Sequence, residues 1–277
     1  MSGNAPSFRD QFNILGQRVR ICASSPPIAR LLNANFAAFA GNESGLEPQL
    51  AYTIGGTQSF SVRRDGRAPI AHVATPGDLL YEVEKDIVVE LQRRNPQLLF
   101  MHSGAIAWQG RASLFVAESG SGKSTTTWAM LHHGYGYLSD EIAPVALDTL
   151  EVHPYPHALC LKRPPPSYPL PTATIHLDRT MHVPVKSLPA PLVNKPCPLD
   201  AIFLLRHDPT VTQPTLRSMR VGEAAARLYV NALNALAHSD GGLDAVLHLA
   251  GNARCFALTT AALPETCKLV GSVLKQP

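Results

Sequence analysis

The stretch that most constrains this chain is Ala117–Thr126, AESGSGKSTT. A short apolar run, 112–116, leads into it, and a predicted helix from Lys123 to His132 leads out. Strand, glycine loop and helix in that order form a cradle for phosphate. Glycines let the backbone turn so that successive N–H groups face one anion. The start of the helix adds its own unpaired N–H groups and the positive end of its dipole. Ser119, Gly120, Ser121, Gly122, Lys123, Ser124 and Thr125 are therefore the expected nucleotide-binding residues. The Lys123 head, expected to face solvent when no ligand is bound, reaches the outer phosphates, and the Ser124 hydroxyl can ligate Mg²⁺. The pattern GxxxxGK[ST] is met except at its first glycine, where Ala117 stands. Alanine is tolerated there if the turn keeps φ negative.

Composition narrows the class. The chain is 45 % hydrophobic and 16 % charged, ordinary for a packed globule. A net charge of +3 without a basic cluster argues against nucleic-acid binding. No apolar run approaches the ~18 residues of a membrane span. The first residues, MSGNAPSFRDQF, lack a signal peptide's apolar core. Five scattered cysteines with no CxxC pair argue against a zinc site or a disulfide framework. A reduced, cytoplasmic protein is expected.

Along the chain, residues 1–16 read as polar and frayed, and 17–22 as a half-buried strand. Pro26-Pro27 opens a helix with apolar spacing at Ile28, Leu31, Leu32 and Phe36, broken at 41–45. Residues 49–54 and 58–63 read as a hairpin, and Asp65-Gly66 as a turn. Thr75-Pro76-Gly77-Asp78 is a helix start, and Asn95-Pro96 closes that helix. Residues 1–97 are thus expected to form a small α+β module ahead of an α/β core, 98–277. Residues 98–108 read as one apolar strand. Residues 154–198 are too proline-dense for a long regular element. Residues 199–206 read as a buried strand, 221–236 as one long helix, 254–258 as a late strand and 264–274 as a closing helix.

Phosphoryl transfer also needs a metal ligand and a base or positioning group. Asp140-Glu141 lies one helix and one strand beyond Lys123, so the chain can return beside the loop. One carboxylate can take the acceptor's proton and the other serve the metal. Asp208, after the better strand at 202–206, is the fallback; Asp208-Pro209 also reads as a turn opener. His102 on an apolar strand reads first as a satisfied core residue. Lys162-Arg163 read equally as a phosphate or acidic-substrate contact or as a solvated pair. Most of the 11 histidines read as bystanders, and His132, His133, His153 and His157 have no defensible metal-ligand spacing.

His102-Ser103-Gly104, Glu118 to Ser124 and Leu138-Ser139-Asp140-Glu141, in this order, resemble the HPr kinase/phosphorylase superfamily. The resemblance spans roughly residues 98–147, and more weakly 199–270. It implies a P-loop core of the HPr kinase/phosphoenolpyruvate carboxykinase type. It further implies ATP held by Lys123 and the loop, Mg²⁺ at Ser124 and Glu141, Asp140 as general base for a serine hydroxyl, and His102 beside the transferred phosphoryl group. It also implies a homo-oligomer, since such proteins often form rings. Glu141 stands where the family usually has Asp, and no signature of the reverse reaction is found. An N-terminal module of ~90 residues before such a core also resembles the lasso-peptide kinases, which phosphorylate a serine of a precursor peptide. The expected partner is a peptide or small-protein serine substrate. The alternatives are a small-molecule hydroxyl kinase on the same fold, or a nucleotide-binding regulatory module acting through residues 17–95.

Overall fold

The computed structural model describes residues 8–41 and 46–276. Residues 1–7 of the expected frayed segment, and 42–45 of the expected helix break, lie outside the described residues.

The chain starts earlier as a strand than its polar composition suggests. β1 (Phe8–Ile14) pairs antiparallel with β2 (Gln17–Ala23) through a turn at Leu15 and Gly16. Phe12 and Ile14 are buried while Asn13 between them faces out, so a period of two hides within a polar run. α1 (Pro26–Phe36) crosses over to β3 (Leu50–Gly55), which lies parallel to β2. β4 (Phe60–Arg64) forms the expected hairpin with β3, and β5 (Pro69–Val73) adds an unexpected edge strand. The five strands form one sheet in chain order.

α2 (Pro76–Arg94) packs on that sheet. Its start is as expected: Thr75 Oγ1 accepts the Asp78 N–H at 3.1 Å, Pro76 takes the first position, and Asp78 sits in the first turn. Leu79, Leu80, Val83, Ile87 and Leu91 recur at helical spacing and are buried with Phe12, Ile14, Leu32, Phe36 and Tyr52. Polar contacts also fix the helix. Arg64 Nη1 reaches Asp86 at 2.7 Å and Glu90 at 3.1 Å, and the Tyr52 hydroxyl donates to Asp86 at 2.7 Å. The same core takes in Leu98, Phe100, Ala146 and Tyr155 from further along the chain.

The second sheet carries the glycine loop. Its strands are β6 (Leu98–Met101), β7 (Ser103–Trp108), β8 (Arg111–Val116), β9 (Gly136–Ser139), β10 (Ala143–Ala146) and β11 (Glu151–Val152). Further along come β15 (Cys197–His207), β16 (Thr215–Ser218) and β17 (Arg254–Thr260). The order is β6-β10-β11-β15-β8-β7-β9, with β17 parallel to β15 and β16 antiparallel to β17. α4 (Val221–Tyr229) and α5 (Leu243–Asn252) cover one face; α3 (Lys123–Leu131) and α6 (Leu263–Leu274) cover the other. β8 is therefore apolar on both sides, with Leu114 and Val116 in one core and Phe115 in the other. Between β11 and β15 the proline-dense segment builds only a small sheet. It consists of β12 (Leu159–Leu161), β13 (Ile175–His176) and β14 (Met181–Val183), in the order β12-β14-β13.

Two further sequence expectations fail in the second sheet and its helices. The strand read over 98–108 breaks at His102, whose N–H donates to the Asn231 carbonyl at 2.7 Å instead of to a sheet neighbour. The helix read over 221–236 ends at Tyr229. Beyond it, Asn234 accepts from the Phe100 N–H at 2.8 Å and donates to the Leu98 carbonyl at 2.9 Å, which draws the chain along β6. No helix among the described residues is long and apolar enough to cross a membrane.

Candidate functional site

β8 ends at Val116, and α3 begins at Lys123, so six residues turn the chain between them. Gly120 (φ 86°) and Gly122 (φ 95°) take the left-handed conformations that other residues resist. Ala117 is buried and is not among the residues with positive φ, so the missing first glycine costs the turn nothing. The Gly122 carbonyl accepts the Thr126 N–H at 2.8 Å and starts the helix.

A cavity of about 300 Å³ opens over this loop. Ser119, Gly120, Gly122, Lys123, Ser124 and Thr125 line it, with His102, Glu141, Lys162 and Arg163 opposite. Cys160 and Leu161 of β12 complete the wall. Thus most of the residues singled out in the sequence, from four separate segments, meet in one place. Ser121 is the loop residue that does not line the cavity; its N–H closes the turn onto the Glu118 carbonyl at 3.2 Å.

Lys123 does not face solvent as expected. It is 6 % exposed, and its ammonium donates to the Ala117 carbonyl at 2.7 Å and the Glu118 carbonyl at 3.3 Å. Burial lowers its pKa; the Asp140 and Glu141 carboxylates oppose that effect, and Lys162 adds to it. Lys162 bridges to the loop from the other side, donating to Ser119 Oγ at 2.6 Å. Two ammonium groups thus hold the loop through its own oxygens, and an anion can exchange for those contacts.

His102 sits at the break between β6 and β7, half-buried. Burial lowers its pKa first, and the charge on Lys123 lowers it further, against the pull of Glu141. It is held as a neutral imidazole at pH 7.

The acidic pair splits sharply. Glu141 lines the cavity, with φ of 64°, a left-handed conformation that strains a residue with a side chain. The Ile142 N–H bonds back to the Asp140 carbonyl at 2.8 Å, closing a three-residue turn around Glu141. The Ser103 N–H holds the Glu141 carbonyl at 3.1 Å, tying this turn to the strand break at His102. Asp140, expected to face an acceptor, is fully buried behind the cavity wall. Its Oδ2 accepts the Cys160 N–H at 3.1 Å, and its Oδ1 has no hydrogen-bond partner among the described residues. Burial, then the neighbouring Glu141 charge, pushes its pKa up to about 7; His157, the Cys160 N–H and the Ser124 hydroxyl pull against that rise. A carboxyl poised near neutrality suits a group that takes and returns a proton.

Gly104 shows how tightly this region is built. A Cβ there would collide with Thr127 Oγ1 on α3, and would touch Asp140 Oδ1 at 3.7 Å. Only glycine lets β7 lie this close to α3. Asp208, the fallback carboxylate, is elsewhere. It caps a surface turn, accepting from the Thr210 N–H at 3.0 Å and the Thr210 hydroxyl at 2.6 Å. Cys160, Gly104 and His157 were not flagged by sequence as site residues. Only Gly104, standing beside His102 in the motif, carried any local signal.

The donor set fits the implied Mg²⁺. Ser124 Oγ, the Glu141 carboxylate and the unpartnered Asp140 Oδ1 are all oxygens, the ligand type that Mg²⁺ takes. No group of three or more His, Cys, Asp or Glu among the described residues could hold a metal unaided. Mg²⁺ binds through one or two carboxylates together with substrate phosphates.

No protein-family model and no curated protein matches this chain. Among solved structures, it is similar to the Hpr(Ser) kinase/phosphatase from Coxiella burnetii at 13 % identity and a TM-score of 0.31. That match covers 63 % of this chain and 96 % of the other.

Proposed function

We propose that this protein is an ATP- and Mg²⁺-dependent phosphotransferase of the HPr-kinase-like type, acting on a serine hydroxyl of a peptide or small protein. The observation that carries this reading is the convergence of the glycine loop, Lys123, Ser124, His102 and Glu141 on one cavity, with Asp140 directly behind it. A pure binding module needs the cradle but not a carboxyl tuned near neutrality beside it.

In this reading the loop N–H groups and Lys123 hold the outer phosphates, and Lys123 gives up its carbonyl contacts to do so. Ser124 and Glu141 hold the metal. Mg²⁺ held there would supply positive charge against the developing charge of the transferring phosphoryl group. His102, neutral and at the cavity wall, positions the transferring group without adding charge. Asp140 accepts the acceptor hydroxyl's proton. Such contacts are often long without substrate and tighten when it binds. Lys162 and Arg163, exposed at the cavity edge, present positive charge to the incoming acceptor or to the phosphates. The lasso-peptide-precursor reading of the acceptor comes from the sequence resemblance alone.

The test is transfer from γ-³²P-labelled ATP onto a panel of serine-containing precursor peptides and HPr, using wild type, Asp140→Asn and Asp208→Asn. Label on a serine, lost about 10²–10⁴-fold in Asp140→Asn and unchanged in Asp208→Asn, is the expected result. Full transfer by Asp140→Asn together with a dead Asp208→Asn would move the acidic motif to β15 and end this reading.

A further inference from the structure

Behind the cavity lies a pair of side chains that the transfer chemistry above does not use. His157 is 1 % exposed, and its Nε2 lies 2.5 Å from the main-chain carbonyl of Asp140. A carbonyl can only accept, so Nε2 carries the hydrogen and donates it. That leaves Nδ1 facing the Glu84 carboxyl, whose Oε1 is 3.1 Å away. Glu84 comes from α2, the helix packed on the first sheet, 73 residues before its partner in the chain. A charged imidazole donates from both nitrogens, and a neutral one facing a protonated Glu84 still donates from Nε2. The hold on Asp140 is the same in both cases.

We propose that His157 and Glu84 are positioning residues of the site: His157 clamps the main chain of Asp140 from behind, and Glu84 orients His157. The proposal rests on the reading of Asp140 as the base. Three observations support it. The Asp140 carbonyl is also the acceptor that closes the strained turn at Glu141, so the imidazole bears on the pivot that presents Glu141 to the cavity. The segment carrying His157 grips Asp140 twice, since the Cys160 N–H holds its carboxylate while His157 holds its carbonyl. That segment is itself fixed: the Tyr155 N–H donates to the Leu138 carbonyl at 2.9 Å, and the Tyr137 hydroxyl to the His157 carbonyl at 2.9 Å. Burial disfavours the charge on His157, but Glu84 and the Asp140 carbonyl outweigh it, and its pKa is raised. The consequence is that the first sheet's helix completes the site instead of standing apart from it. α2 in turn is held by Arg64 through Asp86 and Glu90, so the chain of contacts runs from the first sheet to the acidic pair.

The experiment compares His157→Leu, His157→Gln, Glu84→Gln and Asp140→Asn in the full chain. Two readouts are taken: kcat and KM for ADP release from Mg²⁺–ATP, and deuterium uptake by the segment 138–143. His157→Gln places a donor near the old Nε2 position; His157→Leu does not. His157→Leu is expected to lower kcat at least tenfold with KM within twofold, and to raise uptake at 138–143. His157→Gln is expected to restore most of both. Glu84→Gln, the mildest change and the one that keeps the fold should His157→Leu unfold, is expected to lower kcat by several-fold with KM unchanged. Wild-type kcat and uptake in both His157→Leu and Glu84→Gln would overturn the proposal, as would a parallel collapse of kcat and KM. An unrescued His157→Gln would overturn it too. If Asp140→Asn alone is inactive while the other variants are normal, only the clamp is refuted. If Asp140→Asn retains full kcat, the base reading fails and the clamp with it.

Discussion

Asp140→Asn tests the site through stability as well as through rate. The Asp140 carboxyl is wholly buried, and burial and Glu141 raise its pKa from 3.8 to about 7. The unfolded chain ionises this group near 3.8, and the folded chain only near 7. Between those values the folded state binds the extra proton, so stability falls as pH rises and levels off above about pH 7. Three pKa units at ~1.4 kcal/mol each make the full penalty on the order of 4 kcal/mol. Asparagine cannot ionise, nearly matches the carboxyl in size, and keeps an oxygen for the Cys160 N–H. The variant is therefore expected to be more stable than wild type, by a margin that grows about 2–3 kcal/mol between pH 5 and pH 8. Urea unfolding at pH 5, 6, 7 and 8, without Mg²⁺ or nucleotide, measures that margin. The same variant is expected to lose most of its phosphoryl transfer, the exchange of stability for function that active sites show. A margin independent of pH, or a wild type more stable at pH 8, would refute the burial argument for Asp140.

Two further substitutions probe the cradle. Lys123→Ala removes the one buried ammonium of the loop, and affinity for Mg²⁺–ADP is expected to fall about 10–100-fold by calorimetry, the worth of one charged hydrogen bond; unchanged affinity in a folded variant would end the phosphate-cradle reading. Gly104→Ala drives a Cβ into Thr127 Oγ1, and is expected to cost about 1–3 kcal/mol of stability. Adding Thr127→Ala removes the colliding atom and is expected to recover most of that loss, whereas an unmoved urea midpoint in the single variant would show that β7 and α3 do not meet this closely.

What the residues disclosed in advance follows from how far each interaction reaches along the chain. The glycine loop could be read because its parts are contiguous and its rules are local: a strand, positive-φ glycines, a helix start. The N-terminus of α2 was legible for the same reason, with Thr75, Pro76 and Asp78 each acting within one turn. The interactions that were missed are polar and distant. Nothing near Glu84 announces His157, and nothing near Lys123 says that its ammonium will turn back onto the Ala117 carbonyl. The long helix read over 221–236 fails for a related reason. Its alanine-rich periodicity is a real local preference, but Asn231 and Asn234 have bonding partners more than a hundred residues away, on and beside β6. The Asn231 carbonyl accepts the N–H of His102, the residue where the apolar strand over 98–108 divides. One contact thus accounts for two misread elements. By ending the helix early, the chain brings a carbonyl to the strand break, and that break is what leaves the His102 side chain at the wall of the cavity.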